Sequence, residues 1–562
     1  MSAPREAPGK RTLWMALPIL ALLVWLVLYP NLFVLGESFL EDGVFTLEAY
    51  RHFFTSPSEL EALWGSVWIS LGSVLLSGMV GIPMAFLFTR FDFPGRNVFA
   101  ALAALPVLLP PLVGVIAFLF LFGESGILTR TVQLVLGLES PPWRMIGGPA
   151  ILLVHAYSMY VYFYLFVSAG LARMDESAAE AAWSLGAGRW RTLFRVTLPM
   201  LAPSIVAAAL LVFMTSMASF SAPYIFGGGF RVLTTQIYSS KVNGELSMAM
   251  VETVVLASVS LAFLALLRRY ERGREYAAVG KGVGQIRRPL QSRWSRILVP
   301  LAAVGGVTFL LLPHATLLLV SFVPEGAWTV QILPTRYSLD NYRSLAADPR
   351  IWRPVMNSLQ MAGISTLGVL IVAFLSAYLV VRRRFRGRGL LALLVILPWA
   401  LPGTVVAIAL STTFSVNAPW FGRFVLVGTF WILPLAYFIR NLPLVAEAAK
   451  ASFRQFDPSL EEAAHSLGAG WGETMRRIAF PLVLPGLAAG GMLAFVTALG
   501  EFVSSILLYT HTSRPISIEI LSQLRAFDFG AAAALGVVLV VLMALVFAVG
   551  GRYLRAGRVA RG

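Results

Sequence analysis

Few residues in this chain could do covalent chemistry. It has no cysteine, which excludes thiolate nucleophiles, thiolate metal ligands and disulfides. The five histidines, His52, His155, His314, His465 and His511, lie far apart, and none forms the H-x-x-x-H pair that would aim two imidazoles at one metal. No carboxylate pair or Ser/His set recurs within a loop, so a membrane enzyme has no site to work with. No G-x-x-x-x-G-K-[ST] stretch is present to cradle a nucleotide phosphate. GGGFR (227–231) and GKGVG (280–284) read instead as an outer-loop turn and a linker. What remains is two carboxylates in apolar surroundings, Glu252 and Glu501, and a polar nonamer that occurs twice. EAAWSLGAG (180–188) returns as EAAHSLGAG (462–470), changed only at Trp183 and His465.

The elements that must hold these residues are membrane helices. The 562 residues are 58% hydrophobic and 13% charged, with a mean hydropathy of +0.77. A soluble domain is about a quarter charged. Apolar runs near the ~20 residues needed to cross a bilayer recur along the chain. Twelve are expected, at 13–36, 64–89, 99–122, 147–171, 200–222, 247–267, 297–321, 358–381, 389–411, 424–443, 484–508 and 530–551. The first is too long for a signal-peptide core and reads as an uncleaved helix. A β-barrel would show ~10-residue alternating segments, and none stand out.

Charge orients the spans. The net charge is +16, and the basic residues concentrate in alternate loops, above all in 268–296 and in VVRRRFRGRG (380–389). The loop 37–62 on the other side carries one Arg and six acids. The positive-inside bias puts both termini in the cytoplasm and accounts for the charge without nucleic acid.

The nonamer belongs to a larger repeat. TRFDFPGR (89–96) aligns with VRRRFRGR (381–388), and LPVLLPPLVG (105–114) with LPWALPGTVV (397–406), pairing Pro106 with Pro398 and Pro110 with Pro402. Six spans per half is an even number, so the halves run parallel, related by an axis along the membrane normal. The fold class expected is all-α and polytopic, two parallel six-helix repeats. The first half is 1–267, the basic linker 268–296 and the second half 297–562. The proline pairs sit inside the third span of each half, where they free backbone carbonyls and kink the helix.

Each nonamer falls between the fourth and fifth spans of its half. Asp175 and Asp457 can cap a short helix, with Pro458 at its first position. Glu180 and Glu462 then suit the positive end of that helix. Gly186 with Gly188, and Gly468 with Gly470, permit a sharp bend. A second short helix follows and ends at Pro199 or Pro481. A lone loop of this kind reads equally as an interfacial connector. Two matched copies favour a docking surface for a two-fold partner.

These residues resemble the EAA motif of ABC-type importer permeases. Glu180, Ala181, Ala182, Gly186, Val196, Leu198 and Pro199 match in the first copy. Glu462, Ala463, Ala464, Gly468, Ile478, Phe480 and Pro481 match in the second, with Phe480 where Leu is usual. The resemblance implies that both loops are coupling helices, each held by one of two cytoplasmic ATPase subunits. It implies further an extracytoplasmic substrate-binding protein as partner and an inner-membrane location. ATP and Mg²⁺ would be used on the ATPase, with no cofactor on this chain.

An ionisable group inside a span is a pathway candidate by default. Glu252 reads as reaching the outer interface. Glu501, in TALGEFVSS, pairs with Ser219 in TSMASFSAP, and Ser219, Ser221, Glu501, Ser504 and Ser505 form a candidate translocation lining. An interhelical hydrogen bond is the equal alternative. The Gly-Glu-Phe resembles permeases for ferric iron and for oxyanions. Fusion of two halves resembles ferric-iron and thiamine permeases, and SFSAPYIFGGGFRVLTTQIY (219–238) looks more like the iron type. A secondary carrier of major-facilitator type is the rival class, suggested by RFDFPGR (90–96), but the second copy lacks the Asp and such carriers give no reason to repeat the nonamer.

Overall fold

The computed structural model describes residues 10–41, 43–272, 288–290, 292–328, 331–415 and 425–559. It is an all-α polytopic protein; its strands among the described residues are four two-residue pieces, 40–41 paired with 44–45 and 91–92 paired with 288–289. Most of the expected linker, including GKGVG, lies outside the described residues. Among the described residues, eleven helices are long and apolar enough to cross a bilayer, and a bent pair, Arg388–Ala400 with Gly403–Thr413, makes a twelfth if it is one span.

The helices collect into two compact units that do not follow the two halves of the chain. One contains Met1–His52, Ser240–Val254 and Leu339–Gly562, and is called here the Glu501 unit. The other, the His155 unit, contains Phe53–Ser239 and Val255–Ser338. The first span, Trp14–Glu37, thus packs with second-half helices, and Trp25 meets Phe414 edge-on at 5.7 Å. The seventh span, Arg293–Val320, packs with first-half helices, and the Tyr157 hydroxyl donates to Leu310 O at 2.9 Å. Each half lends its opening helix to the unit built around the other.

Within each unit the repeated helices pack through small residues, as lipid-embedded helices must when apolar area alone gives no drive to associate. In the His155 unit, Pro57–Arg90 lies on Gly147–Arg173. A Cβ on Gly81 would stand 2.4 Å from Tyr160 O. Met159, Phe163, Ala208 and Val212 form a core beside this crossing. In the Glu501 unit, Pro349–Arg382, Ile432–Gln455 and Trp471–Leu499 pack together. There a Cβ on Gly490 would stand 3.2 Å from Val445 Cα.

The third span of each half is broken rather than kinked. Leu109 and Leu401 are extended, as residues before proline prefer. Pro110 and Pro402 stand at the junction, both extended, with helices Pro111–Phe122 and Gly403–Thr413 starting after them. The second break turns the chain by 110°.

Candidate functional site

The nonamer helices form as their residues dictate. Ser177–Ser184 and Ser459–Ser466 each span eight residues. The Asp175 and Asp457 carboxylates accept from the backbone N–H of Ser177 and Ser459, both at 2.9 Å. Gly186 and Gly468 then turn the chain with φ of +80° and +84°, a left-handed conformation that a side chain resists. The same surface faces outward in both copies: Glu180, Ala181, Leu185, Gly186 and Gly188 are exposed, as are Glu462, Ala463, Leu467, Gly468 and Gly470. Ala182 and Ala464 lie lower, half-buried and buried. Leu185 and Leu467 are each 88% exposed, apolar side chains at the tip of a polar bend. An added Cβ at any of the four glycines would meet nothing within 4 Å.

The second short helix expected after each bend is not a separate element. Arg189–Thr192 continues through a widened π turn, Leu193–Thr197, into Leu198–Met217; Trp471–Thr474 does the same through Met475–Ala479 into Phe480–Leu499. Pro199 and Pro481 sit in the first turn of the continued helix. Proline lacks the N–H an α turn would use there, and the wider turn accommodates the lost bond. The bend is therefore joined rigidly to a span: Arg189–Met217 and Trp471–Leu499 are single rods of 29 residues.

The two loops are anchored differently. Arg382, at the end of its span, pairs with buried Glu461 at 3.3 Å, donates to Phe456 O and lies over the Phe456 ring. Burial raises the Glu461 carboxyl above its ordinary value, partly offset by Arg382, Arg383 and His465. Trp471 Nε1 donates to Tyr378 Oη at 3.1 Å. In the first half Ala179 stands where Glu461 does, so that pair cannot form, and Trp190 stacks on Phe194 at an exposed surface. Exposed His465 bonds Ala469 O across its bend, whereas Trp183 is half-buried.

At the far ends of the same rods lie the other candidates. The expected spans 200–222 and 484–508 end earlier, at Met217 and Leu499, and short helices restart at Ser221–Phe226 and Val503–Leu508. Ser219 and Glu501 occupy these breaks. In the Glu501 unit, the Glu501 carboxylate accepts from Ser504 N and Ser505 N, at 3.0 and 3.1 Å, capping the restarted helix. Ser505 Oγ donates to Glu501 O and meets the Tyr437 hydroxyl at 2.7 Å. Arg440 Nη1 lies 3.6 Å from the carboxylate. Gly403 leaves room for it, since a Cβ there would overlap the guanidinium. Ser504 is fully buried beside them.

In the His155 unit, His155 replaces Tyr437 at the aligned position. Its Nε2 meets Ser219 Oγ at 2.9 Å, and its Nδ1 meets Ser73 at 2.8 Å and Ser216 at 3.2 Å. Ser221 is buried nearby in sequence but joins none of these bonds. Glu252, which belongs to the Glu501 unit, is not exposed at an interface: it is fully buried and accepts from Ser240 Oγ at 2.7 Å. Arg440 and His155 were legible as polar residues within ILPLAYFIRNLPL and ILLVHAYSMY, the same signal that singled out Glu501.

A family model described as the binding-protein-dependent transport system inner membrane component matches residues 77–276 and again 368–556. The chain belongs to this family. It is an ABC-type permease with two such domains fused, which sets aside the secondary-carrier alternative. The permease is 29% identical to the probable ABC transporter permease protein y4fN of Sinorhizobium fredii, over 95% of this chain and 93% of that one. It is 27% identical to the ferric transport system permease protein FbpB of Actinobacillus pleuropneumoniae, over 94% of this chain and 76% of that one. The sulfate transport system permease protein CysT of Salmonella typhimurium is 29% identical, over 43% of this chain and 89% of its own length. Both family matches contain a nonamer, so the permease carries the loop once per domain.

Proposed function

We propose that the chain forms the whole membrane pathway of an ATP-driven importer of ferric iron, fed by an extracytoplasmic binding protein. The observation that carries the cargo is extent of similarity. The ferric permease is similar across 94% of this chain, including both halves and their junction, whereas the sulfate permease is similar across 43%. Both termini and both nonamer bends face the cytoplasm, where the basic loops lie. One ATPase subunit holds each bend, with Leu185 or Leu467 as the apolar tip and Glu180, Ala181, Ala182, Gly186, Gly188 or Glu462, Ala463, Ala464, Gly468, Gly470 around it. ATP and Mg²⁺ act on those subunits.

The mechanism is alternating access. Closure of the ATPase dimer moves the two bends, and each bend is the end of a 29-residue rod whose other end is the break holding Ser219 or Glu501. A rod of that length spans about 44 Å at 1.5 Å per residue. Displacement at the bend is thereby delivered to the polar groups Ser219, Ser221, Glu501, Ser504 and Ser505, without a separate hinge at Pro199 or Pro481. The test is uptake by proteoliposomes containing the permease, its ATPase and its binding protein. ATP-dependent entry of radioactive ferric iron is expected, uncompeted by sulfate, spermidine or thiamine. Entry of one of those solutes instead of iron would overturn the cargo.

A further inference from the structure

Span Pro349–Arg382 has the nonamer helix at one end, through Arg382 and Glu461. At its other end is a polar cavity of about 460 Å³ within the Glu501 unit. Its walls are the start of that span and the segment 511–523, including Arg350, Arg353, Asn357, His511, Arg514 and Glu519. The walls are held in place. Asn357 Nδ2 donates to Thr512 O and Arg514 O, and Ser358 Oγ accepts from Ile516 N at 2.8 Å. The two wall carboxylates are committed. Asp348 caps the span through Arg350 N and pairs with the Arg350 guanidinium at 3.1 Å, and Glu519 pairs with Arg514 at 2.8 Å. The third guanidinium, on exposed Arg353, makes no ion pair with a described residue, so the cavity carries an uncompensated positive charge.

The His155 unit repeats this frame with the opposite charge. Ser66 Oγ accepts from Leu233 N at 2.8 Å, the same bond that Ser358 makes to Ile516. Gly65 stands for Asn357, and its missing Cβ admits Arg231 O. Around that conserved geometry, Ser58 and Glu61 replace Arg350 and Arg353, and Glu59, bonded to Gln236 at 2.8 Å, adds a second carboxylate. Nothing in helix packing requires this inversion, since Glu61, Arg350 and Arg353 are all exposed.

We propose that the cavity receives an Asp or Glu side chain of the extracytoplasmic binding protein. The inference rests on the importer reading above. An acidic side chain is attracted by the frame of the Glu501 unit and repelled by that of the His155 unit, a discrimination that acts at encounter and weakens with salt.

The absence of cysteine makes the test direct: a single W352C, at an exposed position beside the cavity, takes a fluorophore uniquely. The labelled full chain in nanodiscs is titrated with the purified, loaded binding protein that drives its uptake. R353E should weaken binding about tenfold, with a smaller salt dependence than the unsubstituted chain, while R353K stays close to it. A Lys substitution of one acidic residue on the binding protein should weaken binding to the unsubstituted chain and be rescued by R353E. An R353E chain that melts normally and binds with unchanged affinity and salt dependence overturns the cavity assignment. If the unsubstituted permease transports without any binding protein, the importer reading falls instead, and this inference with it.

Discussion

Ser219 and Glu501 stand at the same point of the two repeats, in the break just past the end of a 29-residue rod. Ser219 meets His155, whose other ring nitrogen meets Ser73 and Ser216, with no carboxylate or guanidinium in the set. Around Glu501 the polar partners include a second charge, Arg440, admitted by Gly403 where the first half has Pro111. The nonamer ends of the same rods differ in the same sense, with an ion pair, Arg382 to Glu461, in one half and Ala179 in the other. Duplication supplied two copies of one frame. What diverged is where charges meet: Arg440 stands beside Glu501 at one end of the second-half rod, and Arg382 pairs with Glu461 at the other, where the first half has Ala179.

The sharpest way to break this contrast is at Glu501. E501Q leaves Arg440 without its counter-charge in a low-dielectric setting. The cost should be about 2–3 kcal/mol, below the 3–5 of a fully enclosed pair because Arg440 keeps some exposure. It should appear as a lowered melting temperature of the purified chain and lower transport with ATPase docking intact. The counterpart S219A should cost about 1 kcal/mol. R440Q/E501Q should recover most of the loss; a double variant that melts no better than E501Q would show that the ion pair carries no weight.

Next comes the bend. A Cβ at Gly186 or Gly468 meets nothing within 4 Å, but valine there must adopt a φ near +80°, at about 1–2 kcal/mol of strain each. Together the two should uncouple ATP hydrolysis from uptake while the chain still reaches the membrane. Full uptake by that variant would remove the coupling assignment. The smallest effect tests the anchors. R382A should loosen only the second loop, because it leaves buried Glu461 without its ion pair, raising hydrogen exchange across 457–474 and leaving 175–192 unchanged. Equal changes in both loops would mean that the anchors are equivalent after all.

Periodicity, charge and the repeated nonamer carried the class of this protein in its sequence, because a bilayer admits few solutions: long apolar helices with the charge gathered into the segments between them. The caps at Asp175 and Asp457 and the left-handed Gly186 and Gly468 were legible for the same reason, since they depend on residues within one or two turns. Helix ends were less so. Glu501 and Ser219 read as intramembrane positions, yet they lie in breaks, because a restarted helix capped by Glu501 looks as apolar as a continuous one. Only the tertiary structure decided that each half lends its first helix to the other's unit, that Arg440 meets Glu501 across 61 residues, and that Arg353 overlooks a cavity. Those outcomes depend on which apolar faces meet. In a chain whose spans are all apolar, hydropathy does not choose among them; small-residue contacts such as Gly403 under Arg440 do.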